Sequence, residues 1–225
     1  MKPMKKEKGF TLIEFIVILG IIMILVASLT PLVLKYIEDA RITRAQAETR
    51  SIADTIAAVY KDTGYWPYTD KNGPKAQPGI DRVLSDPDRV ATGTGPGAGS
   101  GAAKWGTYGN TKPLYDYLFY NNPDDDTGAG NAGQAGEDYP TTGTFRWKGP
   151  YTEKPAFTDP WKSSYVIDVR YLPGNPRYHQ DTIHRVFVLS PGPNKKWETP
   201  FNDSTGTPDD EILGDDIGSL ITLSK

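Results

Sequence analysis

The sequence predicts an α+β protein: one long N-terminal helix, its first half membrane-spanning and its second half amphipathic, packed on a small antiparallel β-sheet. Three features predict this. Residues 10–34 form an apolar run in which Glu14 is the only charged member. From Ile42 to Tyr60, apolar and small residues return at three- and four-residue steps, the period of one helix face. Residues 165–172 and 182–189 carry β-branched and aromatic side chains on either side of Pro173-Gly174-Asn175-Pro176, the pattern of a hairpin.

The apolar run comes first. At 1.5 Å per residue it makes a helix of roughly 37 Å, longer than the ~30 Å hydrocarbon core of a bilayer. Lys2, Lys5, Lys6 and Lys8, with Glu7 among them, precede it and place the N-terminus on the cytoplasmic side. A carboxylate at Glu14 costs at least ~2.5–3.5 kcal/mol within a membrane span, and such residues are usually functional. A cut after Gly9 would give Phe10 a terminal ammonium, a partner for Glu14 of the same chain or of a neighbouring subunit. The competing reading is an ordinary secretory signal, since Val26-Ala27-Ser28 has the small residues of a cleavage site.

The second helical stretch presents Ile42, Ala45, Thr49, Ile52, Ala53, Ile56, Val59 and Tyr60 on one face, with Arg41, Arg44, Glu48, Arg50, Asp54 and Lys61 mostly off it. It should stop near Thr63-Gly64, where Gly64 is free to take the left-handed cap and Pro67 bars continuation. Residues 65–146 read as a variable, loop-rich region. Asn72-Gly73-Pro74 and Gln77-Pro78-Gly79 are turns, Ile80–Leu84 a short helical turn, and Thr92–Ala103 a flexible loop. Pro113–Asn121 reads as a helix or a packed loop. Asp124-Asp125-Asp126 suggests part of a calcium loop or a solvated charge run, and lacks the spacing and terminal Glu of an EF-hand. Residues 147–225 then hold the sheet, with Trp147, Tyr151, Trp161 and Tyr165 as core and loop anchors.

Composition narrows the function classes. There are no cysteines, so no disulfide staples the domain, and a metal is the obvious substitute. Taking the +3 of residues 1–9 from the chain's −3 leaves −6, which disfavours nucleic acid and suits cations. Catalysis finds no support. His179 and His184 lack zinc spacing, Ser190 lacks the small neighbours of a nucleophile elbow, and no nucleotide fingerprint is present.

Gly9, Phe10 and Glu14 resemble the class III signal of type IV pilins and of type II secretion pseudopilins. The resemblance implies prepilin-peptidase cleavage at Gly9–Phe10, N-methylation of Phe10, an assembly role for Glu14 and a helix kink at Pro31. Thr63-Gly64-Tyr65-Trp66-Pro67 is similar to the helix exit of pilin-like proteins. Trp147–Tyr151, Asp159–Tyr165, Ser190–Lys195 and Asp215-Asp216-Ile217-Gly218 resemble more narrowly the major pseudopilin. That resemblance implies a C-terminal calcium loop, with Pro191 offering a carbonyl and Asn194, Asp215 and Asp216 side-chain oxygens. Asn194 stands where the family usually has Asp, Lys195 and Lys196 follow where Gly is common, and Asn202, Asp203, Asp209, Asp210 and Glu211 compete as ligands.

The resulting expectation is a filament subunit, not an enzyme. It is a single-pass inner-membrane protein with a periplasmic C-terminal domain, and it polymerises into a helical homopolymer. Its partners would be prepilin peptidase, minor pseudopilins and the inner-membrane assembly platform. The alternatives are a type IV pilin for adhesion or motility and, in a different class, a membrane-tethered binding protein or enzyme.

Overall fold

The computed structural model describes residues 9–68, 80–91, 93–94, 110–123, 138–175, 186–199 and 212–221. The basic flank, both turns within 69–79, most of the 92–103 segment, Asp124–Asp126, His179, His184, residues 182–185 and the acids at 202–211 lie outside these residues. The chain divides into two compact units, residues 1–41 and 42–225.

The first unit is helical from Leu12 onward, in a helix (α1, Leu12–Thr63) that continues unbroken through Pro31. Its large apolar residues, from Phe10 to Ile37, are all exposed. The helix is long and apolar enough to cross a membrane.

In the second unit, α1 buries Ala45, Thr49, Ile52, Ala53, Ile56 and Val59, the face that the periodicity picks out. The helix stops as expected: Gly64 takes φ +80° and its N–H donates to the Tyr60 carbonyl at 2.7 Å. Among the described residues seven strands follow: β1 (Ile80–Leu84), β2 (Gly93–Thr94), β3 (Asn110–Pro113), β4 (Val166–Asp168), β5 (Phe187–Ser190), β6 (Lys196–Trp197) and β7 (Ile217–Leu220). Five make the main sheet, in the order β3-β1-β4-β5-β7, while β2 and β6 pair separately.

Several expectations change. The sheet is mixed rather than antiparallel, because β1 and β3 run parallel. Ile80–Leu84 is a strand rather than a helical turn. Asp116–Tyr120, just after β3, forms a wide π-helical turn. The predicted hairpin partners do pair, Val166 with Leu189 and Ile167 with Val188. The first of them is short, however, and passes after Asp168 into a 3-10 turn, Val169–Tyr171.

The sheet is covered on both faces. Val83, Ile167 and Val188 pack with Ile52, Ile56 and Val59 of α1, whereas their neighbours Leu84, Val166 and Leu189 pack with Trp197 and Ala91. Successive strand residues point to opposite faces, so β1, β4 and β5 feed both clusters. Thr49 Oγ1 and Ser219 Oγ, 2.8 Å apart, tie the helix to β7. At the end of β4, Asp168 accepts from Arg170 through Nε and Nη2 at 3.1 and 3.0 Å, an ion pair buried on both sides.

Candidate functional site

Two places carry the chemistry, one in each unit. In the first, Thr11 precedes the helix and Glu14 is its third residue. The Glu14 N–H donates to Thr11 Oγ1 at 3.3 Å, and the Thr11 N–H donates back to Glu14 Oε2 at 3.4 Å. This reciprocal arrangement is a capping box, which satisfies donors that a helix start leaves free. A hydroxyl at Thr11 with an acid three positions on, at Glu14, is a signal visible in the sequence. Gly9 and Phe10 lie just ahead of the helix, exposed, with Phe10 at 80%.

The second place is built where three segments meet. Asp159 is buried, and its Oδ1 accepts the N–H groups of Trp161 (3.0 Å) and Ser163 (2.7 Å), which folds the Asp159-Pro160-Trp161 turn. Its Oδ2 accepts from Ser190 Oγ at 2.7 Å, and Ser190 Oγ in turn accepts from the Gly192 N–H at 3.2 Å. Burial pushes the Asp159 carboxyl above the ordinary carboxylate range, partly offset by these donors. The turn therefore anchors the start of the 190–199 loop.

Trp147–Tyr151 docks elsewhere. Lys148 Nζ pairs with Asp62 Oδ1 at 2.5 Å, near the end of α1, and the Tyr151 hydroxyl donates to Asp62 Oδ2 at 3.1 Å. The hydrogen bond from Lys148 leads in holding Asp62 below its usual range. A Cβ at Gly149 would overlap the Trp147 and Tyr151 rings, so only glycine fits between them.

Within the C-terminal loop, the structure brings Asn194 and Asp215 together: the Asn194 N–H donates to Asp215 Oδ2 at 3.0 Å, and Asn194 Nδ2 also donates to Asp215 Oδ1. Asn194 Oδ1 accepts from the Lys196 N–H at 2.6 Å. Lys195, which stands where glycine is common, adopts φ 58°, the conformation glycine takes most easily. Asp216 Oδ2 accepts the Glu198 and Thr199 N–H groups at 3.0 and 2.7 Å. Pro191 is buried at the loop's start.

One further residue joins the site. Glu198 Oε1 accepts from Asn194 Nδ2 at 2.6 Å, and its Oε2 accepts from the Asp215 N–H at 2.9 Å. Only an acid four positions beyond Asn194 hinted at it, and nothing in the sequence aims it at Asp215. Among the described residues, no three acid or histidine groups converge as a ready metal cage. What converges is two carboxylates with the Asn194 amide between them.

Burial acts on all three carboxyls of the loop. Burial, followed by the hydrogen bond with Glu198, raises Asp215 above its ordinary value. Burial pushes Glu198 the same way, but the hydrogen bonds with Asp215 and Asn194 outweigh it and leave this carboxyl lowered. Asp216 is pushed up to about 6 by burial, against the pull of the Thr199 and Glu198 donors. Its Oδ1 is buried and has no hydrogen-bond partner among the described residues. A Cβ at Gly192 would overlap the Asp215 carbonyl oxygen, so the loop closes tightly there. These are oxygen donors of the hard type that calcium takes, and two of the carboxylates, Glu198 and Asp215, meet across the loop.

A family model described as the prokaryotic N-terminal methylation motif matches residues 4–30. The chain matches no curated protein and no solved structure. The motif, at the head of an exposed apolar helix whose continuation packs on a small mixed sheet, indicates a type IV pilin-like protein made as a prepilin.

Proposed function

We propose that the protein is a structural subunit of a periplasmic pseudopilus that drives protein export by type II secretion. It is cut between Gly9 and Phe10 by prepilin peptidase, N-methylated at Phe10, and polymerised through residues 10–34. The observation that carries this reading is the methylation motif at residues 4–30, joined to a helix half whose apolar side chains are exposed. An exposed apolar surface of that extent needs a membrane or other copies of itself to cover it. Glu14 would meet the Phe10 ammonium of its own chain or a neighbour, exchanging its Thr11 contact for a stronger charge-assisted one.

The role is structural rather than catalytic. Minor pseudopilins and the inner-membrane assembly platform are the partners it would need. In the C-terminal loop, Asn194, Asp215, Asp216 and the Pro191 carbonyl would hold calcium, which supplies a crosslink to a domain without cysteines.

Mass spectrometry of the processed protein should find N-methylated Phe10, and disruption of the gene should abolish export of folded proteins while leaving surface piliation intact. A cut after Ser28 would overturn the prepilin reading. Surface fibres with unaffected export would replace the pseudopilus by a type IV pilus.

A further inference from the structure

We propose that Lys35 of one copy of this chain pairs with Asp39 of the next, and that this contact fixes the axial register of neighbouring helices. The proposal rests on the filament reading above and extends it beyond the Phe10 ammonium and Glu14. In both places the positive group comes first and the carboxylate follows four residues later. Two parallel helices offset by four residues, about 6 Å at 1.5 Å per residue, therefore make both contacts at once. Glu14 and Asp39 stand about seven turns apart at 3.6 residues per turn, so they lie on one face of the first unit's helix. Glu14, Lys35 and Asp39 are all exposed. The same order and spacing recur at Arg50 and Asp54, also exposed, which the same offset would pair as well.

Two features point to a second copy rather than to the chain's own helix. Within one helix, a cation four residues ahead of an acid is the weaker order, because it opposes the helix dipole. Among the described residues, Lys35 makes no ion pair in its own chain, whereas Arg41 pairs with Glu38 at 3.3 Å and Arg44 with Glu48 at 2.8 Å. Arg44 and Glu48 share the cation-first order, but the Tyr165 hydroxyl also donates to Glu48 and holds it to the domain. The second feature is position. Lys35 directly follows the exposed apolar run, whose packing against other copies is non-directional and tolerates sliding. Complementary charges at the end of such a surface select one offset, since any other sets charges against apolar side chains or against like charges.

The test is co-assembly of charge-reversed full-length chains expressed in place of the wild type, read as fibre yield after shear release. Lys35→Asp alone and Asp39→Lys alone each set like charges opposite one another between copies. Each is expected to lower fibre yield at least about tenfold. Expressed together, the two variants restore opposite charges between copies but not within either chain, and mixed fibres should return most of the yield. One chain carrying both changes should also assemble, which shows that the substitutions leave insertion and folding intact. Wild-type yield from either single variant would overturn the proposal. So would the absence of rescue on co-expression, and rescue by the doubly substituted chain alone would mark a pair within one helix. In each of these the filament reading survives as long as the wild type forms fibres. A wild type that forms none overturns both.

Discussion

Ile22 and Ile56 occupy the same helix and carry the same side chain, yet Ile22 is 49% exposed and Ile56 is 0% exposed. Burying such a side chain is worth about 1.5–3 kcal/mol. The domain collects that energy at Ile52, Ile56 and Val59 by packing them on the sheet. Nothing in the folded chain collects it at the apolar residues from Phe10 to Ile37, so the stabilisation left there is on the order of tens of kcal/mol. One half of the helix spends its apolar surface on folding, and the other keeps it for association.

The strongest test of that division is on the domain side. Ile56→Ala should cost about 2–5 kcal/mol of domain stability, seen as a lower denaturant midpoint. Ile22→Ala should leave the midpoint within about 0.5 kcal/mol. An equal loss from both would break the comparison.

Acidity probes the domain alone. Burial, which outweighs the pull of Arg170, pushes the Asp168 carboxyl up to about 6. The folded state therefore holds this proton more tightly than the unfolded chain. Its contribution is full below about pH 4 and lost as pH rises through about 6, on the order of 2–3 kcal/mol. Asp168→Asn should flatten that part of the stability curve, measured by denaturant melts at several pH values.

Removing calcium sharpens the contrast further. At a hundredfold excess over Kd the ion would stabilise the domain by about 2.7 kcal/mol. Chelator should therefore lower its melting temperature and protease resistance, and calcium but not magnesium should restore them. Unchanged melting in chelator would remove the ion from the account of stability.

Smaller effects follow. Thr49→Val loses the contact with Ser219 and should cost about 0.5–1.5 kcal/mol in thermal melts. Glu14→Ala should change domain stability least of all, while fibre yield falls sharply in shear-release assays. Wild-type fibre yield would deny Glu14 its assembly role.

The helix was legible because its signals are local: an apolar run, a repeating face and Gly64 at its end. β1 was not. All five of its residues are buried, Asp81 and Arg82 among them, so no alternation of polar and apolar residues marks it. Its parallel partner β3 begins 30 residues downstream of Ile80, at Asn110, a distance at which no residue pattern reports pairing. At the candidate site, Asn194 and Asp215 were visible as a motif. Glu198 was not, because it meets Asp215 only after β5 and β7 have paired and brought residues 17 apart together.

The pairing of Leu84 with Val166 closes a loop of roughly 80 residues, and closure entropy grows only with the logarithm of loop length. Doubling that loop would cost about 0.6 kcal/mol. Folding speed is more sensitive, since distant strands must find one another before their contacts repay the search. Insertions in that loop that spare β3, the core residues at 114–118 and 139, and the anchors at 147–163 therefore carry little thermodynamic penalty, and what limits them is the time the chain takes to reach its native pairing.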